Sequence, residues 1–503
     1  MPRPVPTLRA AAFGAALAFA LATAQASGPG GKPEMSPEAT PVEHRKDVFG
    51  PDPSYENKPY SEEDQLRIYG GKFSVQTPRP LLEAGREIYR SGPLSAPGHG
   101  WGRKNPTDQS FTVYGDWRAA FARNDNGARS QSVLATRLNL EADWKLTATE
   151  RVHAFFRPLD HGGNFTGCAS PAAAGTRRCN TRMDVKADAL FFEGDLGAMI
   201  AGWTDRYQSF DLPITFGKIP LLFQNGVWLE DAFTGLAFSI PARNSRLFDI
   251  SNMDVTFFAG LDNVNTPGIV DRSGQPNGSN RLLGMTAFLE ANEGYWELGL
   301  AHVRPKDNFA DQGYNNAAVS FTKRYFDRIS NSMRVIHNFG QRPNAGVQRN
   351  ADGTLLLIEN SLVTHKPLTL VPYFNVFYGH KSTQSVARAV DAGGILKNTG
   401  INFETDGLTG FAKLDDTGRN AYGGALGLQY LFDLQQQVVV ELANVRPHGN
   451  AANRFIPGQQ TALGLRYQRA LDKAWIFRAD AIVANRTNAA DLAGIRFEIR
   501  RKF

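Results

Sequence analysis

No stretch of this 503-residue sequence is apolar for long enough to cross a membrane as a helix. The longest apolar run, residues 10–22, falls short of the roughly 20 residues a spanning helix needs. It also sits in a different pattern: Arg3 and Arg9 precede it and Ala24-Gln25-Ala26 follows it, as in a secretory signal peptide with an A-x-A cleavage site. Residues 1–26 are expected to be removed, and any membrane insertion of the remainder has to use strands. Cysteine is nearly absent. Cys168 and Cys179 lie in the polar segment 161–180, and the oxidising compartment of an exported chain predicts a disulfide that pins a surface loop. With only His161 nearby they make no metal site, and without C-x-x-C-H there is no covalent haem. G-x-S-x-G, H-E-x-x-H, a P-loop and a strand-to-helix G-x-G-x-x-G are all missing. The chain is therefore not read as an enzyme, and no cofactor, metal or nucleic-acid partner is expected.

A mean hydropathy of −0.34 with 21% charged residues fits a soluble protein, and equally a barrel whose strands turn every second residue toward water. Alternation is more informative. Residues 134–146 place Leu134, Thr136, Leu138, Leu140, Ala142, Trp144 and Leu146 on one face, against Ala135, Arg137, Asn139, Glu141, Asp143 and Lys145 on the other. Residues two apart lie on nearly opposite sides of a helix, so only a strand keeps these sets apart. The same rhythm returns in residues 182–192, 421–432 and 475–486. It returns again in the last ten residues, where Ile495, Phe497 and Ile499 oppose Arg496, Glu498 and Arg500. Similar segments elsewhere bring the count to about 18 strands, within a range of 16 to 18. Tight connections such as 291–294 and 471–473 coexist with long polar ones such as 263–280, 340–353 and 380–419, as a barrel with short periplasmic turns and long outer loops requires. The 33 Phe, 14 Tyr and 7 Trp suit interfacial girdles, or alternatively a sandwich core. About 400 residues without a fixed-period repeat exceed most soluble sandwiches. The expected fold is all-β: one transmembrane antiparallel up-and-down barrel over 109–503 with long extracellular loops. It is preceded by a periplasmic extension at 27–108, partly disordered where Pro, Gly and charge dominate.

A barrel of this size leaves a lumen, and alternation names the side chains that face it. The candidate pathway residues are Arg118, Arg137, Arg334, Arg466, Arg478, Arg496, Glu141 and Asp480. With a net charge of +6 and an excess of Arg in the last segments, a basic stripe would concentrate anions; alternatively these charges pair with one another and hold the wall together. Residues 214–252 break the rhythm, and Pro220 and Pro241 argue against central pairing. This segment is either a loop folded into the pore, with Lys218, Arg243 and Arg246 lining the constriction, or an outer loop with a hydrophobic cap.

Taken together, the signal peptide, the two-residue rhythm from Ser110 onward and the closing strand that ends on Phe503 resemble a Gram-negative outer-membrane porin. The strand count, ionic strands such as Thr136-Arg137-Leu138-Asn139-Leu140-Glu141 and the Arg-bearing final segments look like the alginate-export type within that group. The resemblance implies a bacterial outer-membrane channel that passes small solutes or an anionic polysaccharide by diffusion, with membrane lipid and the solute as its partners. The N-terminal extension has no place in that pattern and leaves a second reading, a barrel sleeve that holds a periplasmic protein such as a redox carrier.

Overall fold

The computed structural model describes residues 78–503 apart from 86–97, 101, 108, 128, 172–176, 271–275, 277, 279, 307–311, 344–347, 365–368, 405–406, 434 and 450–453. The expected signal peptide and most of the expected extension lie outside the described residues. The chain divides into Met1–Val75 and Gln76–Phe503, and the second unit is the subject below.

Its strands are β1 (Leu82–Gly85), β2 (Ser110–Asp125), β3 (Ser130–Lys145), β4 (Arg151–Phe156), β5 (Asp160–His161), β6 (Asn164–Pro171), β7 (Arg178–Asn180), β8 (Ala187–Asp195), β9 (Pro213–Phe223), β10 (Leu229–Ser245), β11 (Ile250–Val264) and β12 (Asn280–Ala291). They continue as β13 (Gly294–Pro305), β14 (Tyr314–Tyr325), β15 (Ile329–Phe339), β16 (Asp352–Leu362), β17 (Leu370–Ser382), β18 (Ala387–Arg388), β19 (Ala421–Asp433), β20 (Gln436–Pro447), β21 (Gln460–Ala470), β22 (Trp475–Arg486) and β23 (Leu492–Lys502). Among the described residues, 18 close one antiparallel ring: β2, β3, β4, β8 to β17 in order, β19 to β23, and back to β2. Closure leaves no long unpaired edge.

The alternation sets the two faces. Leu134, Trp144, Leu283, Leu300, Val319, Phe374, Leu426, Leu463, Val483 and Phe497 are exposed on the outside, a continuous apolar surface that only an apolar medium would cover. The opposite face buries Asp116, Arg334, Glu441, Asp480, Arg496 and Glu498. Short connections, including 146–150, 246–249, 292–293 and 471–474, join one end, which also carries the C-terminus and the one described helix, α1 (Leu196–Thr204). Long loops, including 157–186, 265–279 and 383–420, join the other. Trp117 and Trp475 meet edge to face at 6.3 Å near the short-turn end, with the Arg501 guanidinium over the Trp475 ring, as an interfacial girdle would have it. Here too β1 pairs with the edge of β2, from Leu82↔Val113 to Gly85↔Ser110. Because β23 pairs with β2 only from Asp116 onward, β1 covers the stretch of edge that the last strand does not reach.

Two expectations are corrected. In 182–192, where alternation is expected throughout, the strand begins only at Ala187, and the apolar Ala189 is buried on the inner face while Leu190 points outward. Phe191 packs against an interior core, so this inner wall is apolar and composition misleads there. Residues 214–252 are not a loop: they form β9, β10, the turn 246–249 and the start of β11. Pro220 is tolerated because β8 pairs with β9 only as far as Lys218, which leaves Pro220 with a neighbour on one side alone. Pro241 falls where the β10–β11 register shifts between Ile240 and Arg243.

Candidate functional site

The segment that enters the lumen is residues 383–420, between β17 and β19. Its start, β18, lies parallel to Leu229–Glu230 of β10. From there Val386, Ile395, Leu396, Phe403 and Leu414 are buried against Trp228, Phe258, Tyr314 and Leu355 of the wall. One side of the barrel is thus a dry core rather than open water.

Polar contacts hold the loop to the rest of the wall. The buried Glu441 carboxylate accepts the backbone N–H groups of Ile401 and Asn402, each at 2.8 Å, the Asn402 side-chain amide at 2.9 Å, and the Tyr373 hydroxyl. A Cβ at Gly400 would lie 2.1 Å from Glu441 Oε2, so the close approach depends on glycine at that position. Asn124 of β2 donates to the Thr409 carbonyl at 2.9 Å, Leu408 packs on Ala120 and Ala135, and the Phe411 ring lies under the Arg496 guanidinium.

Two charged clusters face the loop. In the first, Arg466, Arg478 and Arg496 converge on Asp480, and Arg466 and Arg478 also reach Glu404 of the loop. Burial pushes the Glu404 carboxyl up, but Arg466 and Arg478 overcome it and hold the group below the usual carboxylate range. In the second, Asp391 of the loop pairs with Arg137 and Arg157, which also contact Asp160, and Arg157 binds Asp188. For Asp391 burial again opposes the charge, and Arg157 and Arg137 prevail to lower its pKa. Asp415, near the end of the loop, behaves in the opposite way: burial pushes it up to about 6 against donation from Thr417.

The structure brings Arg118, Arg137, Arg466, Arg478, Arg496, Glu141 and Asp480 to the inner face of the C-terminal strands and of β2 and β3. Arg118, Glu141 and Arg478 keep contact with solvent, together with Asn139, His153 and Arg500. Arg334 is inward too, but buried against Glu359 at 2.8 Å on the far wall, and Arg496 is likewise buried. Lys218, Arg243 and Arg246 line no constriction. Lys218 pairs with Leu190 and Thr234 on the outer face, and Arg243 and Arg246 are exposed at the short-turn end. Cys168 and Cys179 are disulfide-bonded across β6 and β7, in the long loop between β4 and β8. The sequence reading missed Arg157, Asp160, Glu359, Asp391 and Glu404. The apolar residues Ile395, Leu396, Ile401, Phe403, Leu408 and Phe411 inside a connection read as polar were the available signal for the loop.

In three pairs of the wall the cation stands forward of its anion, whereas Glu404 of the loop is more exposed than Arg466 and Arg478, and Glu141 is more exposed than His153. Side-chain exposure is 39% for Arg500 against 9% for Asp116, 16% for Arg118 against 6% for Glu498, and 17% for Arg478 against 5% for Asp480. A solute passing there meets these guanidinium groups, with the exposed carboxylates of Glu404 and Glu141 beside them.

No protein-family model and no curated protein matches the sequence. Among solved structures the barrel is similar to OccK11 (OpdR) of Pseudomonas aeruginosa, with a TM-score of 0.50 and 8% identity over 78% of this chain and 96% of that one. It is also similar to OccAB4 of Acinetobacter baumannii, with a TM-score of 0.49 and 10% identity over 78% of this chain and 98% of that one. At such identity the likeness to OccK11 speaks of architecture alone, and it agrees with the closed antiparallel ring of 18 strands.

Proposed function

We propose that the protein is an outer-membrane diffusion channel for small anionic solutes, narrowed by residues 383–420. The observation that carries this reading is that Arg118, Arg478 and Arg500 stand forward of the wall carboxylates they pair with, which offers planar, bidentate donors to a carboxylate or phosphate without leaving any of these guanidinium groups uncompensated. Cations held in a low-dielectric constriction concentrate anions there. The loop also takes up space that a threaded polysaccharide or a held periplasmic protein would need, which favours small solutes over the alginate-export and sleeve readings. Reconstitution in planar bilayers tests the proposal. Small, steady current steps with anion preference support it, whereas a protein that inserts and passes no current rejects it.

A further inference from the structure

The outer face carries a feature that the channel does not use. On the long-loop side of the apolar belt, Arg281 of β12 stands directly opposite Arg304 of β13, and both are exposed. Like charges in register repel, so the pair is unfavourable unless an anion lies between them. Neither forms an ion pair among the described residues: Asp262 lies within electrostatic reach of Arg281, but its carboxylate is bonded by Lys306 at 2.6 Å. The same rim continues with exposed His302, His337, His380 and Arg446. His337 and His380 flank Thr354 across three adjacent strands, and the His380 ring lies parallel to that of His448 at 6.4 Å. From β12 to β20 this band covers about 35 Å of rim at the usual strand spacing. Immediately below it lie the exposed Leu283, Leu300, Val319 and Val335.

We infer that this band binds the phosphate groups of a phosphorylated lipid in the leaflet that faces the long loops, with Arg281 and Arg304 gripping one phosphate between them. Guanidinium groups match phosphate oxygens bidentately, and cations at a membrane surface attract anionic headgroups. Continuity with the apolar belt selects a lipid over a free anion, because the acyl chains cover Leu283 and Leu300 while the headgroup meets the arginines. The inference rests on the reading of the outer face as lipid-covered.

The test uses the full chain in phosphatidylcholine nanodiscs titrated with lipid A, a bis-phosphorylated glycolipid, or with its dephosphorylated form, and reads bound lipid by native mass spectrometry. The wild type is expected to prefer the phosphorylated lipid by about tenfold, and R281Q/R304Q to lose about fivefold of that preference. R281K/R304K, which keeps the charges but not the bidentate fork, should fall between the two, and heat-modifiable gel migration, which reports the folded barrel, should be unchanged in both variants. Equal retention of the two lipids by a conducting wild-type barrel overturns the inference and leaves the channel intact, as does displacement of lipid A by millimolar inorganic phosphate. A chain that enters no bilayer overturns both.

Discussion

At the residue scale, Glu441 has the most to hold. Its two oxygens accept four donors in a site closed to solvent. A glutamine has one acceptor oxygen, and its amide would face donors, so Glu441→Gln should weaken docking of the loop by about 3 kcal/mol, the worth of one or two hydrogen bonds to a charged group. The expected readout is a larger, noisier single-channel conductance, and Gly400→Ala should give the same phenotype by steric means; an unchanged conductance in both would detach the loop from the pore. Removing guanidinium groups acts on selectivity instead. R466Q/R478Q leaves Asp480 with Arg496 alone among its three arginines and frees Glu404, so the reversal potential in a salt gradient should move toward cation preference. The inward direction of these arginines was legible from alternation. Their pairing was not, because Glu404 lies in a connection whose path no periodicity describes.

At the element scale, the loop responds to pH through two opposed sets of groups. Asp415 has its pKa raised to about 6 when docked. Docking therefore binds a proton, and its stability grows as pH falls from above 6 toward the ordinary carboxylate value near 4. Glu404 and Asp391 are held below the ordinary range, so their contribution is present above about pH 4 and is lost only as pH falls through their lowered values. Current fluctuations should quieten between about pH 7 and pH 5 and return in stronger acid. Asp415→Asn should abolish the first effect, and a variant that still quietens would remove Asp415 from the account. The loop was the least legible element. A polar connection with scattered apolar residues reads the same whether those residues face solvent or a core, whereas β9 and β10 looked irregular because prolines stand at an edge position and a bulge.

At the scale of the whole molecule, the ring is closed by the first and last barrel strands. Arg118 binds Glu498 through two contacts of 2.6 and 3.1 Å, and Arg500 binds Asp116 through two of 2.8 and 2.9 Å, across 380 and 384 residues of sequence. Removing one partner of such a sheltered pair costs about 3 kcal/mol or more, because the other charge is left uncompensated. Glu498→Gln should lower the temperature at which the heat-modifiable band is lost, and R118Q/E498Q should recover part of that loss; equal midpoints for all three proteins would show that the seam does not depend on this pair. That strands alternate an apolar and an ionic face, and that there are enough of them for a ring of about 18, follows from residue order alone, since a period of two is a local property of the backbone. Which long connection turns inward, which arginines stay in contact with solvent and which carboxylates back them was set by the assembled barrel. Those outcomes depend on residues hundreds of positions apart being brought together when the ring closes.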